Sequence, residues 1–247
     1  PWFQTLLPGS VIADAFESRA QSYLVDKTLQ LAEQTAKAHK ASSGLTLTGA
    51  ALDPWTGTHG LRRLGYPLWV REVPALRKVL SETARRRFAQ TRSVEAVAVF
   101  YVALGRTQAL AQLYRTIDND VVRAEFFGAD FSEEKMRNKA FKNASYLHTR
   151  RRFQLAAAIY LLVQPPCIYK ALVCLGKGLK DPLLAMAVGR VAEATAMQKS
   201  KPRSVFGSMA PSTAATATTA PRLGPETRKM VNNYLIPHFK EHKQPLL

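Results

Sequence analysis

Cysteine is nearly absent from this 247-residue chain, with only Cys167 and Cys174 present. On one helix, residues seven apart share a face but stand about 10 Å apart along the axis, too far for a bridge. The pair reads as two small apolar side chains in a reducing cytosol rather than a redox or metal pair. Long hydrophobic runs are also missing. No stretch reaches about 18 uncharged apolar residues, which argues against a membrane span. The longest, Phe153 to Val163, has the length of a buried core helix. No charged-then-apolar leader opens the chain, so nothing marks secretion, and the sequon Asn143-Ala144-Ser145 carries no weight. The first residue is Pro1, not Met, so a fragment is expected. Strictly alternating Val/Ile/Thr runs do not stand out, so strands are few. Glycine-rich phosphate loops, G-x-S-x-G elbows and C-x-x-C pairs are absent, and His39, His59 and His148 are isolated along the chain. Acid is scarce as well. Eighteen Asp and Glu stand against 35 Lys and Arg, a net charge of +17. That balance bears on partners rather than fold and leaves open nucleic acid, an anionic membrane surface or an acidic protein face.

Helix formers are abundant, and 47% of the residues are hydrophobic, enough for a sizeable core. Ser10 can cap a helix reaching about His39, with Val11, Ala15, Tyr23, Leu24, Leu31, Thr35 and Ala38 at rough helical spacing. Residues 42–60 read as a loop with turns at Asp53-Pro54 and Thr56-Gly57, and Trp55 could reach the core edge. Pro74 suits a first helical position and opens a helix to about Gln90, with Leu76, Val79, Leu80, Thr83 and Phe88 inward. Ser93 starts the next helix, which Gly105 closes, and a short helix covers Thr107 to Arg115. Asp118-Asn119-Asp120 is a turn, and Ser132 with Glu133 and Glu134 begins a helix. Met136, Ala140, Ala144 and Leu147 form one stripe along it. Pro165-Pro166 ends the apolar helix from Phe153. Helices over about Cys167–Leu175 and Pro182–Ala196 follow, divided at Gly176-Lys177-Gly178 and Lys180-Asp181-Pro182. Short joints between such helices make sequential neighbours antiparallel. The expected fold is all-α: stacked antiparallel helix pairs, an α-solenoid, with a disordered low-complexity insertion near the C-terminus. The expected divisions are 1–60, an N-terminal helix and loop; 61–198, the solenoid segment; 199–224, the linker; and 225–247, a last helix carrying Met230, Val231, Tyr234 and Leu235.

His238 to His242 has H-x-x-E-H spacing, which could hold zinc on one helix face. A third ligand is unmarked, and Pro237 makes a regular helix there doubtful, so a solvated helix end is the better reading and no metal, cofactor or catalytic residue is expected. Basic residues concentrate in two places. Arg62 to Arg92 holds nine against Glu72 and Glu82, and Lys135 to Arg152 holds seven without an acid. Such clusters could meet phosphates, giving a basic nucleic-acid-binding module as the alternative function. No zinc-finger, RRM or homeodomain signature lies beside them, and Tyr101, Tyr114, Phe153 and Tyr160 sit on apolar stripes rather than as stacking platforms.

Several ordered blocks resemble a known family. The stretch from Tyr66 to Thr116 holds an aromatic-Trp pair, a Leu-Arg-Lys helix, a basic A-x-x-x-F end at Ala84–Phe88 and FYVALGRTQAL at 100–110. DFSEEKMRNKAFKNASYLHTRRRFQLAAAIYLL and LKDPLLAMAVGRVAEA follow in order. Together they resemble the C-terminal helical region of the DmX-like/rabconnectin family, the large subunit of the RAVE complex. Residues 199–224 look like an insertion, and NNYLIPHF resembles the block that follows in the family. The resemblance implies WD-repeat propellers upstream and a scaffold role rather than an enzyme's. It implies assembly of the vacuolar proton-translocating ATPase (V-ATPase) and organelle acidification. Peripheral-sector pump subunits and other RAVE subunits are the implied partners, with no small-molecule substrate. The implied place is the cytoplasm, peripheral to endomembranes, with indirect membrane association. Arg62, Arg63, Arg85, Arg86, Arg87, Lys135, Lys139, Lys142, Arg150 and Arg151 are the candidate protein contacts.

Overall fold

The computed structural model describes residues 21–42, 53–57, 61–200 and 223–237. Those residues are helical or in turns, and no strand occurs among them. The expected start of the first helix at Ser10, most of the expected insertion, and the His238–His242 motif lie outside the described residues.

The first helix, α1, spans Gln21–Ser42. Gln21, Val25 and Leu29 are its buried stripe, with Leu24 partly covered. Tyr23, one of the apolar residues that keep rough helical spacing in the sequence, is 61% exposed. The Gln21 side chain lies on the opposite, buried face. Its amide donates to the Trp69 carbonyl (2.9 Å) and accepts from the Arg71 N–H (2.7 Å), which ties that face to the core.

At 53–57, the Asp53 carboxylate accepts from the Trp55 and Thr56 N–H groups (2.9 and 2.7 Å), folding a tight turn. The turn sends Trp55 fully into the core, beyond the edge position that its sequence context suggested. A 3-10 turn at Leu61–Leu64 leads to α2, Tyr66–Trp69, and then α3, Val73–Thr91, with Pro74 in its first turn. Ser93 Oγ accepts from the Ala96 N–H at 3.4 Å, but it opens a 3-10 turn, Glu95–Val97, that runs into the short α4, Ala98–Ala103. Gly105, at φ +76°, closes α4. Its N–H reaches the Val102 carbonyl, and Arg106 N–H reaches Tyr101, so the last carbonyls of α4 are satisfied.

Helix α5 spans Thr107–Thr116 and α6 spans Val121–Gly128. The sequence reading assigned no helix at 121–128. Asp120 caps α6 by accepting from the Arg123 N–H at 2.8 Å, and Phe127 stacks on Tyr114 with ring centroids 5.1 Å apart. Helix α7 spans Glu134–Thr149 and α8 spans Phe153–Leu162. Ser132, expected to cap α7, bonds Asp130 instead, and Glu133 takes the cap position. Helix α9, Ile168–Val173, continues through a wide π turn, Cys174–Gly178, so Gly176 does not end it. Helix α10 is Pro182–Ser200, and α11 is Pro225–Met230 followed by a π turn, Val231–Leu235.

Helix α10 is the axis of the fold. Every residue from Asp181 to Glu193 is buried, because α2, α3, α4, α9 and α11 all pack on it. Such a helix needs apolar residues on every side, which LLAMAVGRVA supplies. Pairs α5/α6 and α7/α8 extend outward from this centre, with α8 resting on α4 and α9.

Candidate functional site

Three ionisable side chains are buried around α10, and each is engaged with the protein itself. Asp181 accepts from the Trp55 indole N–H (2.7 Å) and the Leu184 N–H (3.0 Å), and Arg62 lies 3.6 Å away. Arg190 donates to the carbonyls of Pro67 (3.1 Å) and Arg71 (2.9 Å), and burial lowers its pKa. Glu193 accepts from the N–H groups of Glu226 and Thr227 (2.8 and 3.1 Å) and from the Thr227 hydroxyl (2.7 Å). Each replaces lost hydration with hydrogen bonds, so these are ties between segments rather than groups waiting for a substrate. Burial pushes the Cys174 thiol up to about 11, which keeps it protonated and unreactive at neutral pH. Both cysteines are free. His148 packs edge-on against Phe153, 5.3 Å between ring centroids. Among the described residues no three His, Cys, Asp or Glu side chains converge as a metal site would require.

The two basic clusters fare differently. Much of the Arg62–Arg92 cluster is bound internally. Arg87 is only 5% exposed and donates to Asp53 at 2.8 Å, so it faces the core rather than a partner. Burial alone would raise the Asp53 pKa, but the Arg87 hydrogen bond and charge hold its carboxyl below the usual range. Arg85 and Arg86 both grip Glu82, at 2.7 and 2.6 Å. The Arg85 hydrogen bond foremost, with that of Arg86, outweighs burial and brings the Glu82 pKa to about 2. Lys78 pairs with Asp26 at 2.6 Å, and Arg77 donates to Thr195. Arg62 is tied to Asp181 as above, and Arg63 is half-buried on the same 3-10 turn.

On α7, by contrast, Lys135, Lys139 and Lys142 are exposed, and none has an ion-pair or hydrogen-bond partner among the described residues. Their spacing of four and then three places them on one helical face. Tyr146 continues that face and is 59% exposed, with the Arg150 guanidinium 5.3 Å from its ring centroid. Opposite, Ala140 and Ala144 are fully buried, and their small size lets α7 lie close on α8. The basic triplet that follows is divided by the helix end. Arg151 takes φ 59° in the left-handed position, its N–H reaching His148, while Arg152 N–H reaches Leu147. Arg151 stays exposed and Arg152 turns back to pair with Glu95. The sequence reading passed over Tyr146, although its position four after Lys142 and four before Arg150 marks it as part of the same face.

Comparison with known proteins decides the family. The family model described as "RAVE protein 1 C terminal" matches residues 49–202, more than half of the chain. The chain belongs to this family. "DmX-like protein 1" of Mus musculus is 36% identical over 134 residues, covering 54% of this chain and 4% of the mouse protein. The Homo sapiens protein of the same name gives the same figures. "Regulator of V-ATPase in vacuolar membrane protein 1" of Schizosaccharomyces pombe is 28% identical over 194 residues, 76% of this chain and 13% of that protein. The chain therefore spans a small part of the length of these relatives. The DmX-like/RAVE resemblance carried by the 66–116 and 130–194 blocks is thus this family. In this family member the matched span runs from the Asp53 turn through α10, so it contains the central helix and both basic clusters.

Proposed function

We propose that this chain is a non-enzymatic scaffold segment of a RAVE/rabconnectin-type complex that promotes V-ATPase assembly and, through it, organelle acidification. Membership of the RAVE protein 1 C-terminal family carries the reading, together with a fission-yeast relative named as a regulator of V-ATPase in the vacuolar membrane. The side-chain chemistry supports it. The buried Asp181, Arg190 and Glu193 are engaged in holding segments together, which leaves surfaces rather than a reaction centre as what the fold offers. In this reading pairs such as α5/α6 and α7/α8 are units of a stacked helical array, with 61–198 as its central segment. Peripheral-sector pump subunits and other RAVE subunits are the partners, and exposed basic residues steer the approach of acidic surfaces. The working place is cytoplasmic and peripheral to endomembranes. No helix among the described residues is long and apolar enough to cross a membrane. Affinity capture with the tagged chain tests the proposal. Purified peripheral sector of the pump is expected to co-elute at physiological salt and to be released as salt rises. Recovery of no pump subunit overturns it.

A further inference from the structure

We infer that the outward face of α7 docks an acidic helix of a partner protein, with Lys135, Lys139 and Lys142 gripping its carboxylates and Tyr146 seating an apolar side chain. The inference rests on the scaffold reading for the class of partner and not for its identity. Many of the other cations among the described residues are occupied. Lys78, Arg85, Arg86, Arg87, Arg123 and Arg152 pair with acids, and Lys170 lies 4.0 Å over the Phe141 ring. The three α7 lysines have no such partner and repel one another at neighbouring positions on one helix face. An acid row supplied from outside relieves that repulsion.

Geometry selects the kind of partner. Lys135 to Tyr146 covers about 16 Å of straight helix at ~1.5 Å per residue. A second helix packed alongside repeats that rise, so carboxylates three and four positions apart meet the lysines in register. Helix α7 lies against α8 through Ala140 and Ala144, which leaves the lysine face outward. Tyr146, pre-oriented under Arg150, offers the aromatic-and-arginine pair that anchors protein interfaces. A lipid surface fits less well, because Tyr146 is the only large apolar side chain on this face and none of the Trp, Phe or Leu that inserts among acyl chains accompanies it. Nucleic acid fits less well too, because this face carries a single aromatic ring, whereas single-strand binders stack successive bases on several.

The test uses the whole chain and an 18-residue helical peptide with glutamates at positions i, i+4 and i+7 and a leucine at i+11. A control peptide of the same composition spreads the glutamates around the helix. Fluorescence anisotropy is expected to show at least threefold tighter binding of the striped peptide. Lys135→Glu/Lys139→Glu/Lys142→Glu should weaken it at least tenfold, and Tyr146→Ala about threefold, with circular dichroism unchanged. Lys→Gln at the same three positions, a milder change at exposed sites, should reproduce the loss in direction. Equal binding of both peptides overturns the inference, as does undiminished affinity in both lysine variants. Tighter binding to duplex DNA or to phosphatidylserine vesicles than to the peptide overturns it as well. A wild-type chain that holds the striped peptide yet captures no pump subunit sustains this inference and removes the pump assignment instead.

Discussion

Asp181 joins parts of the chain 126 residues apart, because the buried indole of Trp55 donates to it. The same carboxylate accepts from Leu184 N–H and so caps the central helix α10. Replacing it with alanine removes the cap, worth about 1 kcal/mol, and leaves a buried indole N–H without a partner, about 1–3 kcal/mol more. Asp181→Ala is therefore expected to destabilise the chain by about 2–4 kcal/mol in urea unfolding, and Asp181→Asn, which keeps an acceptor oxygen, by less. A loss under 1 kcal/mol for the alanine variant contradicts this account. Neither partner announces the bond in the sequence. Asp181 before Pro182 marks a helix start, and Asp53-Pro54-Trp55 marks a turn, but the distance between them is closed only by the packing of the segments in between. Tyr23 teaches a related lesson. Helical spacing counts apolar residues, yet the side that faces inward on α1 includes the hydrogen-bonded Gln21, a polar residue that spacing ignores.

At the scale of elements, α11 is attached by a clasp. The Glu193 carboxylate on α10 sits at the start of α11 and takes two of its free N–H groups and the Thr227 hydroxyl. Gly224 is what admits it, since a Cβ there would overlap the carboxylate. Gly224→Ala and Glu193→Ala are each expected to destabilise by about 1–3 kcal/mol, because each strands the same donors. The double variant should cost less than the two together, and additive losses in a urea double-mutant cycle would refute the clasp. How legible the elements were varied with their length. The stripe at Ala140 and Ala144 and the turn at Gly105 could be read directly, since a 16-residue helix and a left-handed glycine leave local marks. Helix α6 could not, because eight residues opening with Val121-Val122 give too few turns to show a period, and its burial comes from Tyr114 on the neighbouring helix. The π turn through Gly176 escaped for a similar reason. Two glycines signal a break locally, whereas here Gly176 lies inside the turn and packs closely beside Met230 and Tyr234, whose side-chain ends a Cβ would meet at 3.2 and 3.3 Å.

For the whole molecule, the excess of 35 basic over 18 acidic residues makes each paired carboxylate matter. Glu82, between Arg85 and Arg86, has a folded pKa of about 2 against an ordinary 4.5, and Asp53 is shifted the same way from 3.8. A depressed carboxylate contributes its stability fully above the unfolded pKa and loses it as pH falls toward the folded one. Stability is therefore expected to decline from about pH 4.5 down to about pH 2, and Glu82→Gln should flatten that decline while lowering stability at pH 7. Thermal melts across this range check it, and an identical pH profile in the variant counts against the pairing. The amino-acid sequence by itself determined that the chain is helical and where its positive charge concentrates, because periodicity, turn chemistry and composition are local properties, and its ordered blocks carried the likeness to the DmX-like/RAVE family. Tertiary structure alone decided which charges face outward. Arg87 and Lys142 are equally basic in the sequence, but one meets Asp53 in the core and the other faces solvent without a partner. That difference arises because pairing depends on acids brought close by packing, and no local pattern records the distance.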